Sequence, residues 1–230
     1  MARGVVAVDL NWPEAHRIVP SPDAPVAAFS SLVDDSDELE VLLAIEAITN
    51  PLAREAAGNL PMIPPERRYK GPLAGLVMLS LLLPRASRFS EGLYGVLYAA
   101  DVVDTALDEA AHHAGRRLAA TAAPAGTTLR LYGFTLDVRG RLADAQRGRD
   151  GVDDAVFSRD AWDAGQRLGR ALRSDGHSGL HYTSVRRQSA TCIGLFWPDA
   201  VRSANEASRW LMFWNGTTIV HRAQERAAKA

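Results

Sequence analysis

The sequence predicts an α+β fold with a mixed, mostly antiparallel sheet that is flanked by helices. Strand and helix patterns follow one another without the regular alternation that marks a parallel sheet. Near the end of the chain, RWLMFW-NG-TTIVH (209–221) places the Asn-Gly pair of a tight turn between two apolar runs, which predicts an antiparallel hairpin. A length of 230 residues with 47% hydrophobic residues suffices for a sizeable core, so we expect a single domain over 1–230.

Helices are predicted in the first third of the chain from the spacing of apolar residues. SDELEVLLAIEAITN (36–50) has helical periodicity, and Asn50-Pro51 begins a shorter helix over 51–58. A proline-rich loop follows over 58–72. The run 72–83 is apolar on all sides, which predicts a buried helix.

The middle of the chain alternates between predicted strands and one long helix. Strands are predicted over 87–90 and 96–100, and Asp101 is placed to cap a helix that runs to about residue 116. Residues 127–138 alternate as a strand does, and the polar segment 140–154 is predicted to be a loop.

The last third is predicted to contain one further helix and several strands. Ser158 is expected to begin the helix, and Gly176 to end it. GLHYTS (179–184) and TCIGLFW (191–197) are strand candidates, and HRIVPS (16–21) is interpreted as an edge segment that carries Arg17.

Composition excludes several classes of function. A net charge of −1 gives no global case for nucleic-acid binding by counterion release. The single cysteine, Cys192, excludes an internal disulfide and a cysteine-based metal site, and its apolar surroundings predict a buried thiol. The longest apolar run, 72–84, is too short to cross a bilayer, so we expect a cytoplasmic protein without membrane contact. Only two of the 26 basic residues are lysines, which fits either coding bias or phosphate binding by arginine.

The segment SRFSEGLYGVLYAADVVDTALDEAAHH (87–113) contains three chemically different polar side chains around one predicted strand-to-helix junction. Arg88 supplies a guanidinium, Tyr98 a phenol and Glu109 a carboxylate at the border of the buried helix face. A buried carboxylate needs a partner. The pattern alone leaves two explanations open: a boundary glutamate paired with an arginine, or a pocket for a phosphorylated, sugar-containing ligand. No GxGxxG or GxxxxGK[ST] motif is present, so neither a Rossmann nor a P-loop cradle is predicted.

Metal and nucleophile chemistry are less favoured. The acidic residues at the start of the predicted helix could suggest magnesium, but helix capping and the helix dipole explain Asp101 and Asp104 better. His112-His113 lacks the spacing of a zinc-binding helix, so no metal is expected. Ser184 has no surrounding GxSxG elbow that would support a nucleophile.

The chain resembles the RES-domain toxins, which are the toxin halves of bacterial RES–Xre toxin–antitoxin pairs. The resemblance begins at about residue 16 and rests on the order and spacing of six motifs. These are HRIVPS (16–21), LEVLLAIEAITNP (39–51), SRFSEGLYGVLYAADVVDTALDE (87–109), GLHYTSVRR (179–187), TCIGLFWP (191–198) and WLMFWNG (210–216).

The resemblance implies an ADP-ribosyltransferase-like fold that binds NAD+ as a substrate and cleaves the nicotinamide–ribose bond. Phosphate or water is the acceptor in some members, and a protein is ADP-ribosylated by others. It also implies an Xre-type helix-turn-helix antitoxin that blocks the active site, and a toxin homodimer inside a larger complex. Two alternatives stay open: a non-catalytic interaction module of the same fold and a metal-dependent phosphoesterase.

The same resemblance implies the site residues. Arg88, Glu109 and Ser184 match the three residues for which the family is named and are the catalytic candidates, and together with Arg17 and Tyr98 they form the predicted NAD+-binding set. Glu109 would stabilise positive charge on the ribose, and Arg17 and Arg88 would bind the diphosphate. Tyr98 would stack on the nicotinamide or ribose, and Ser184 would hold the nicotinamide amide or a phosphate oxygen.

Overall fold

A computed structural model of the chain describes residues 4–20 and 63–225. The helices predicted over 36–50 and 51–58 lie outside these residues. The described residues contain three α-helices, which are α1 (Ala74–Leu82), α2 (Val103–Ala120) and α3 (Asp163–Ser174). They also contain nine strands, which are β1 (Ala7–Pro20), β2 (Ala86–Ser87), β3 (Ser90–Glu91), β4 (Leu97–Ala100), β5 (Thr128–Ala145), β6 (Gly179–Thr183), β7 (Thr191–Leu195), β8 (Val201–Trp214) and β9 (Ile219–Gln224).

Seven strands form one mixed sheet in the order β1-β4-β7-β6-β5-β8-β9, and β2 and β3 form a separate small hairpin. The β5–β6 pair is parallel, whereas the other pairs of the large sheet are antiparallel. The predicted α+β class with a mixed, mostly antiparallel sheet and flanking helices is therefore confirmed.

The first strand is not at an edge. β1 pairs with β5 along most of its length and also with β4, so β1, β4, β7, β6 and β5 close into a ring. The interpretation of residues 16–21 as an edge segment is therefore wrong for the part that is described. β5 makes this closure possible because it continues to Ala145, through the first part of the predicted 140–154 loop. Leu142 and Ala145 are fully buried there, and that burial outweighs the polar composition of the segment.

Helix α1 packs against the large sheet. Val77 and Leu82 are fully buried in the core that α1 shares with β1, β4, β5 and β7, which confirms the helix predicted from the apolar run. Each fully buried side chain of this size contributes roughly 1.5–3 kcal/mol.

Helix α2 begins differently from the prediction. Its N-cap position is Val102, and the Asp101 carboxylate instead accepts hydrogen bonds from the backbone N–H and the hydroxyl of Thr191 at 2.8 and 3.1 Å. Asp101 as a helix cap is therefore wrong. The carboxylate joins the start of α2 to β7, a partner that local sequence does not show.

Residues 87–90 form a turn rather than one strand. Arg88 and Phe89 are the two residues between β2 and β3. Helix α3 packs against this turn through Gly165 and Gly169, where an added Cβ would collide with the carbonyl oxygens of Arg88 and Phe89. The helix begins at Asp163 rather than at Ser158.

The C-terminal hairpin forms as predicted between β8 and β9. Its turn is held by the Asn215 side chain, which accepts backbone N–H groups of Thr217 and Thr218 at 2.9 and 2.8 Å. Gly216 has a φ of +100°, a conformation that glycine adopts without strain. Within the described part of the chain, no helix has the length and apolarity that crossing a membrane requires.

Candidate active site

A cleft of about 340 Å³ opens between β1, β4 and α2. Four of the five predicted site residues line it: Arg17 from β1, Arg88 from the β2–β3 turn, Tyr98 from β4 and Glu109 from α2. They are brought together by the ring closure of the sheet, since β1 and β4 are neighbours beneath α2.

Ser184 does not lie among the residues that line the cleft. It is 8% exposed at the end of β6, and its Oγ accepts hydrogen bonds from the backbone N–H groups of Arg186 and Arg187, both at 3.2 Å. This is the geometry of a serine that caps a turn. The structure thus places the predicted serine outside the described lining of the cleft.

Glu109 presents its carboxylate to the cleft with 27% of the side chain exposed. Burial raises its pKa above the ordinary 4.5, and the nearby positive charges of Arg186 and Arg88 oppose that rise. The nearest ion-pair partner is Arg186, whose Nε is 3.7 Å from Oε2. This distance permits attraction but exceeds that of a hydrogen bond.

Arg17 is a cation without a carboxylate partner in the described part of the chain. It donates to the carbonyl oxygen of Tyr98 and, over 2.9 Å, to the Ser80 hydroxyl. Its buried Nε has no hydrogen-bond partner among the described residues. Burial lowers the pKa of Arg17 to about 10, which still leaves the guanidinium charged at neutral pH. A buried charge of this kind is stabilised when an anion enters the cleft.

Arg88 has a structural contact as well as a place in the cleft wall. Its Nη1 donates to the carbonyl oxygens of Val156 and Ser158 at 2.8 and 2.7 Å. These bonds fix the direction of a side chain that is only 9% exposed. Within 4–20 and 63–225 it has no carboxylate partner, so its charge faces the cleft uncompensated by an ion pair.

Tyr98 uses its hydroxyl to hold the β2–β3 turn. The phenolic oxygen lies 2.9 Å from the Ser87 hydroxyl and accepts the backbone N–H of Phe89 at 3.1 Å. Burial raises the pKa of Tyr98 to about 12, so the phenol stays neutral. The ring lines the cleft, and the hydroxyl positions the turn that carries Arg88.

Several cleft residues were not predicted from the sequence. Tyr182, His113, Trp162, Arg117 and Arg186 also line it. Tyr182, Ser184 and Arg186 all belong to the motif GLHYTSVRR. The motif therefore indicated that this segment contributes to the site, but it did not show which of its side chains enters the cleft. Among the described lining residues four are arginines, and Glu109 is the one carboxylate.

The acidic residues near the start of α2 have structural partners. Arg187 pairs with Asp104 at 3.2 Å and with Asp108 at 3.3 Å, and Arg222 of β9 pairs with Asp108 at 2.7 Å. These pairs attach the loop after β6 and the last strand to α2. In the ranges that the structure describes, no three metal-ligating side chains come together.

Comparison with known proteins gives a family match. The family model described as the RES domain matches residues 66–215, more than half of the chain. This range includes Arg88, Tyr98, Glu109 and Ser184, and Arg17 lies before it. A chain in the crystal structure of the M. tuberculosis MbcT–MbcA toxin–antitoxin complex is similar at 15% sequence identity, with a TM-score of 0.36, over 53% of this chain and 71% of that chain. No curated protein sequence gives a significant match.

Proposed function

The chain belongs to the RES-domain family, and we propose that it is the toxin of a RES–Xre toxin–antitoxin pair that cleaves the nicotinamide–ribose bond of NAD+. The observation that carries the proposal is the charge of the cleft, whose described lining contains the carboxylate of Glu109 and four arginines. A ligand that is anionic along its diphosphate and becomes cationic at one ribose matches this distribution.

Glu109 is the residue proposed to act at the reacting ribose. When the C–N bond breaks, its electron pair leaves with nicotinamide, which departs as a neutral molecule, and positive charge develops on the ribose. A fixed carboxylate stabilises that charge more in the transition state than in the ground state, which is the requirement for catalysis. Because nicotinamide is already a cationic substituent in NAD+, the step needs neither a general acid nor a metal.

The arginines are proposed to bind the diphosphate. Arg17 and Arg88 are charged and have no carboxylate partner in the described residues, so an anion gains their full attraction. Tyr98 supplies a neutral ring for the nicotinamide or ribose face. The bonds that Arg88 and Tyr98 make to the protein set their directions before the ligand binds, and such pre-organisation reduces the entropic cost of binding.

The acceptor distinguishes three reactions at the same site. Water gives ADP-ribose with release of a proton, inorganic phosphate gives phosphorylated ADP-ribose, and a protein side chain gives an ADP-ribosylated protein. We propose cleavage to a small product as the principal reaction and protein ADP-ribosylation as the alternative. A non-catalytic module of the same fold would bind NAD+ without releasing nicotinamide.

The direct test is incubation of the purified protein with NAD+, with and without inorganic phosphate, followed by mass analysis of the products. We expect nicotinamide together with ADP-ribose or its phosphorylated form. Intact NAD+ after incubation with folded protein would contradict the proposal. Label that accumulates only on protein would favour the alternative.

An Xre-type helix-turn-helix antitoxin is proposed to close the cleft, and the toxin is proposed to form a homodimer within the complex. Expression of the chain alone should stop growth and lower cellular NAD+. The proposal expects a helix-turn-helix protein to be encoded in a neighbouring gene, and co-expression of that protein should restore growth and yield a complex that co-purifies with the chain. Restored growth without a complex would contradict direct blocking of the cleft.

A further inference from the structure

The loop between β6 and β7 is held by Ser184. The backbone N–H of Ser184 donates to the carbonyl oxygen of Ala190 at 2.9 Å, which closes the base of the loop. The Ser184 hydroxyl then accepts the N–H groups of both Arg186 and Arg187. One serine therefore fixes the backbone from which two consecutive arginines project.

The two arginines point to different places. Arg187 pairs with Asp104 and Asp108 on α2, so it anchors the loop to the helix that carries Glu109. Arg186 lines the cleft and lies beside the Glu109 carboxylate. The loop backbone is thus held at two points, and Arg186 is directed inward.

The Arg186 guanidinium is held in the cleft with unused hydrogen-bonding capacity. Its side chain is 14% exposed, and its buried Nε has no hydrogen-bond partner among the described residues. A guanidinium has five N–H donors, and a carboxylate at 3.7 Å satisfies its charge only in part. Because the Nε atom is enclosed by protein, an anionic ligand in the cleft would accept hydrogen bonds from the terminal Nη1 and Nη2 groups.

We propose that Arg186 contacts the substrate by binding the diphosphate of the nicotinamide dinucleotide beside Glu109, and that Ser184 is a positioning residue that acts through Arg186. This inference rests on the proposed function, and it changes the role expected for the serine. The Ser184 oxygen accepts two backbone N–H groups, and its side chain lies outside the cleft lining. The Ser184 hydroxyl therefore fixes the conformation of the loop between β6 and β7, and this conformation places the Arg186 guanidinium in the cleft.

Binding of ADP-ribose tests the role of Arg186 without requiring NAD+ cleavage. Loss of a charge-assisted, bidentate contact should weaken ADP-ribose binding by Arg186→Gln by about 10- to 100-fold, as measured by calorimetry. Arg186→Lys should fall between that variant and the wild type, because it keeps the charge but not the fork. Arg139→Gln is the matched control, since Arg139 is an exposed arginine paired with Asp137 outside the cleft.

The role of Ser184 is tested by removing its hydrogen-bond acceptor in one variant and restoring an acceptor in another. Ser184→Ala should weaken ADP-ribose binding and speed hydrogen exchange at the amides of Arg186 and Arg187. Ser184→Asn retains a side-chain oxygen that can cap the turn and should restore both properties towards wild type. Asn215→Ala removes another side-chain oxygen that accepts two backbone N–H groups, those of Thr217 and Thr218 in the β8–β9 turn outside the cleft, and should change neither.

Specific outcomes would overturn the inference. Wild-type affinity in Arg186→Gln would exclude the proposed contact, and unchanged amide exchange in Ser184→Ala would exclude positioning. Failure of the folded wild type to bind ADP-ribose would overturn this inference, whereas the proposed cleavage is judged separately by nicotinamide release. Arginine-dependent binding without nicotinamide release would support the inference and overturn the proposed cleavage.

Discussion

The Nε atom of Arg186 lies 3.7 Å from Oε2 of Glu109, so the loop after β6 and helix α2 meet as an ion pair inside the cleft. Among the described residues that line the cleft, Glu109 is the one carboxylate and four side chains are arginines. Burial raises the pKa of this carboxyl group, and the positive charges of Arg186 and Arg88 oppose that rise. The pH dependence of activity therefore reports on the pairing of Glu109 with Arg186.

NAD+ cleavage should fall on the acid side as Glu109 becomes protonated. Because burial raises the pKa of Glu109, the fall should begin above the pH expected for an exposed glutamate. Arg186→Gln removes a positive charge that favours the carboxylate, so it should raise the pKa of Glu109 further and move the acid limb to higher pH. The pH profile of kcat/KM for nicotinamide release measures this. An unchanged or acid-shifted limb in Arg186→Gln would contradict the assignment.

The hydroxyl of Tyr98 should contribute mainly to stability. Tyr98→Phe keeps the ring in the cleft but leaves the backbone N–H of Phe89 without its acceptor, which should cost about 1–3 kcal/mol of unfolding free energy. KM for NAD+ should rise moderately because the turn that carries Arg88 loosens. Denaturant unfolding and steady-state kinetics measure both effects. Full stability in Tyr98→Phe would show that the hydroxyl does not hold the turn.

Close packing of α3 on the Arg88–Phe89 turn predicts a strong effect of one added methyl group. Gly169→Ala places a Cβ against the Phe89 carbonyl oxygen and should destabilise the fold by about 1–3 kcal/mol while displacing the turn. Gly75→Ala in α1 is the matched control, since no atom lies within 4 Å of its added Cβ. Thermal unfolding should separate the two variants. Equal melting temperatures would contradict the packing described for α3.

His113 should make the fold sensitive to acid. Burial, followed by the charges of His112 and Arg186, lowers the pKa of His113 from 6.5 to about 4. The stability gained from the neutral ring is complete above the unfolded pKa of 6.5, and it is lost as the pH falls through the folded pKa of about 4. His113→Gln should therefore lose less unfolding free energy than the wild type between these pH values. An equal or larger loss in the variant would contradict this prediction.

Sequence patterns predicted the elements that local chemistry determines. The apolar run of α1 and the Asn215-Gly216 hairpin are confirmed, because continuous hydrophobicity and turn chemistry act over a few residues. The position of β1 was wrong because its closure onto β5 depends on pairing between distant segments. The capping role of Asp101 was wrong for a similar reason, since the competing donors of Thr191 are remote in sequence.

The candidate site was likewise predicted only in part from the sequence. Motif order identified Arg17, Arg88, Tyr98 and Glu109, which the fold gathers at one cleft. The motifs do not show the direction of a side chain. Ser184 was therefore predicted to be a site residue, whereas Arg186, two residues later, lines the cleft. The difference arises from the turn at the end of β6, which only the three-dimensional structure displays.

The most direct test of the central claim compares nicotinamide release from NAD+ by the wild type and by Glu109→Gln, with NAD+ binding measured on the same preparations. Glu206→Gln is the control, because Glu206 is an exposed glutamate paired with Arg209. The wild type and the control should release nicotinamide. Glu109→Gln should be slower by about 10²–10³-fold in kcat while it still binds NAD+, since the carboxylate acts on charge that develops in the transition state. Release at the wild-type rate by Glu109→Gln, or no release by the folded wild type, would contradict the claim.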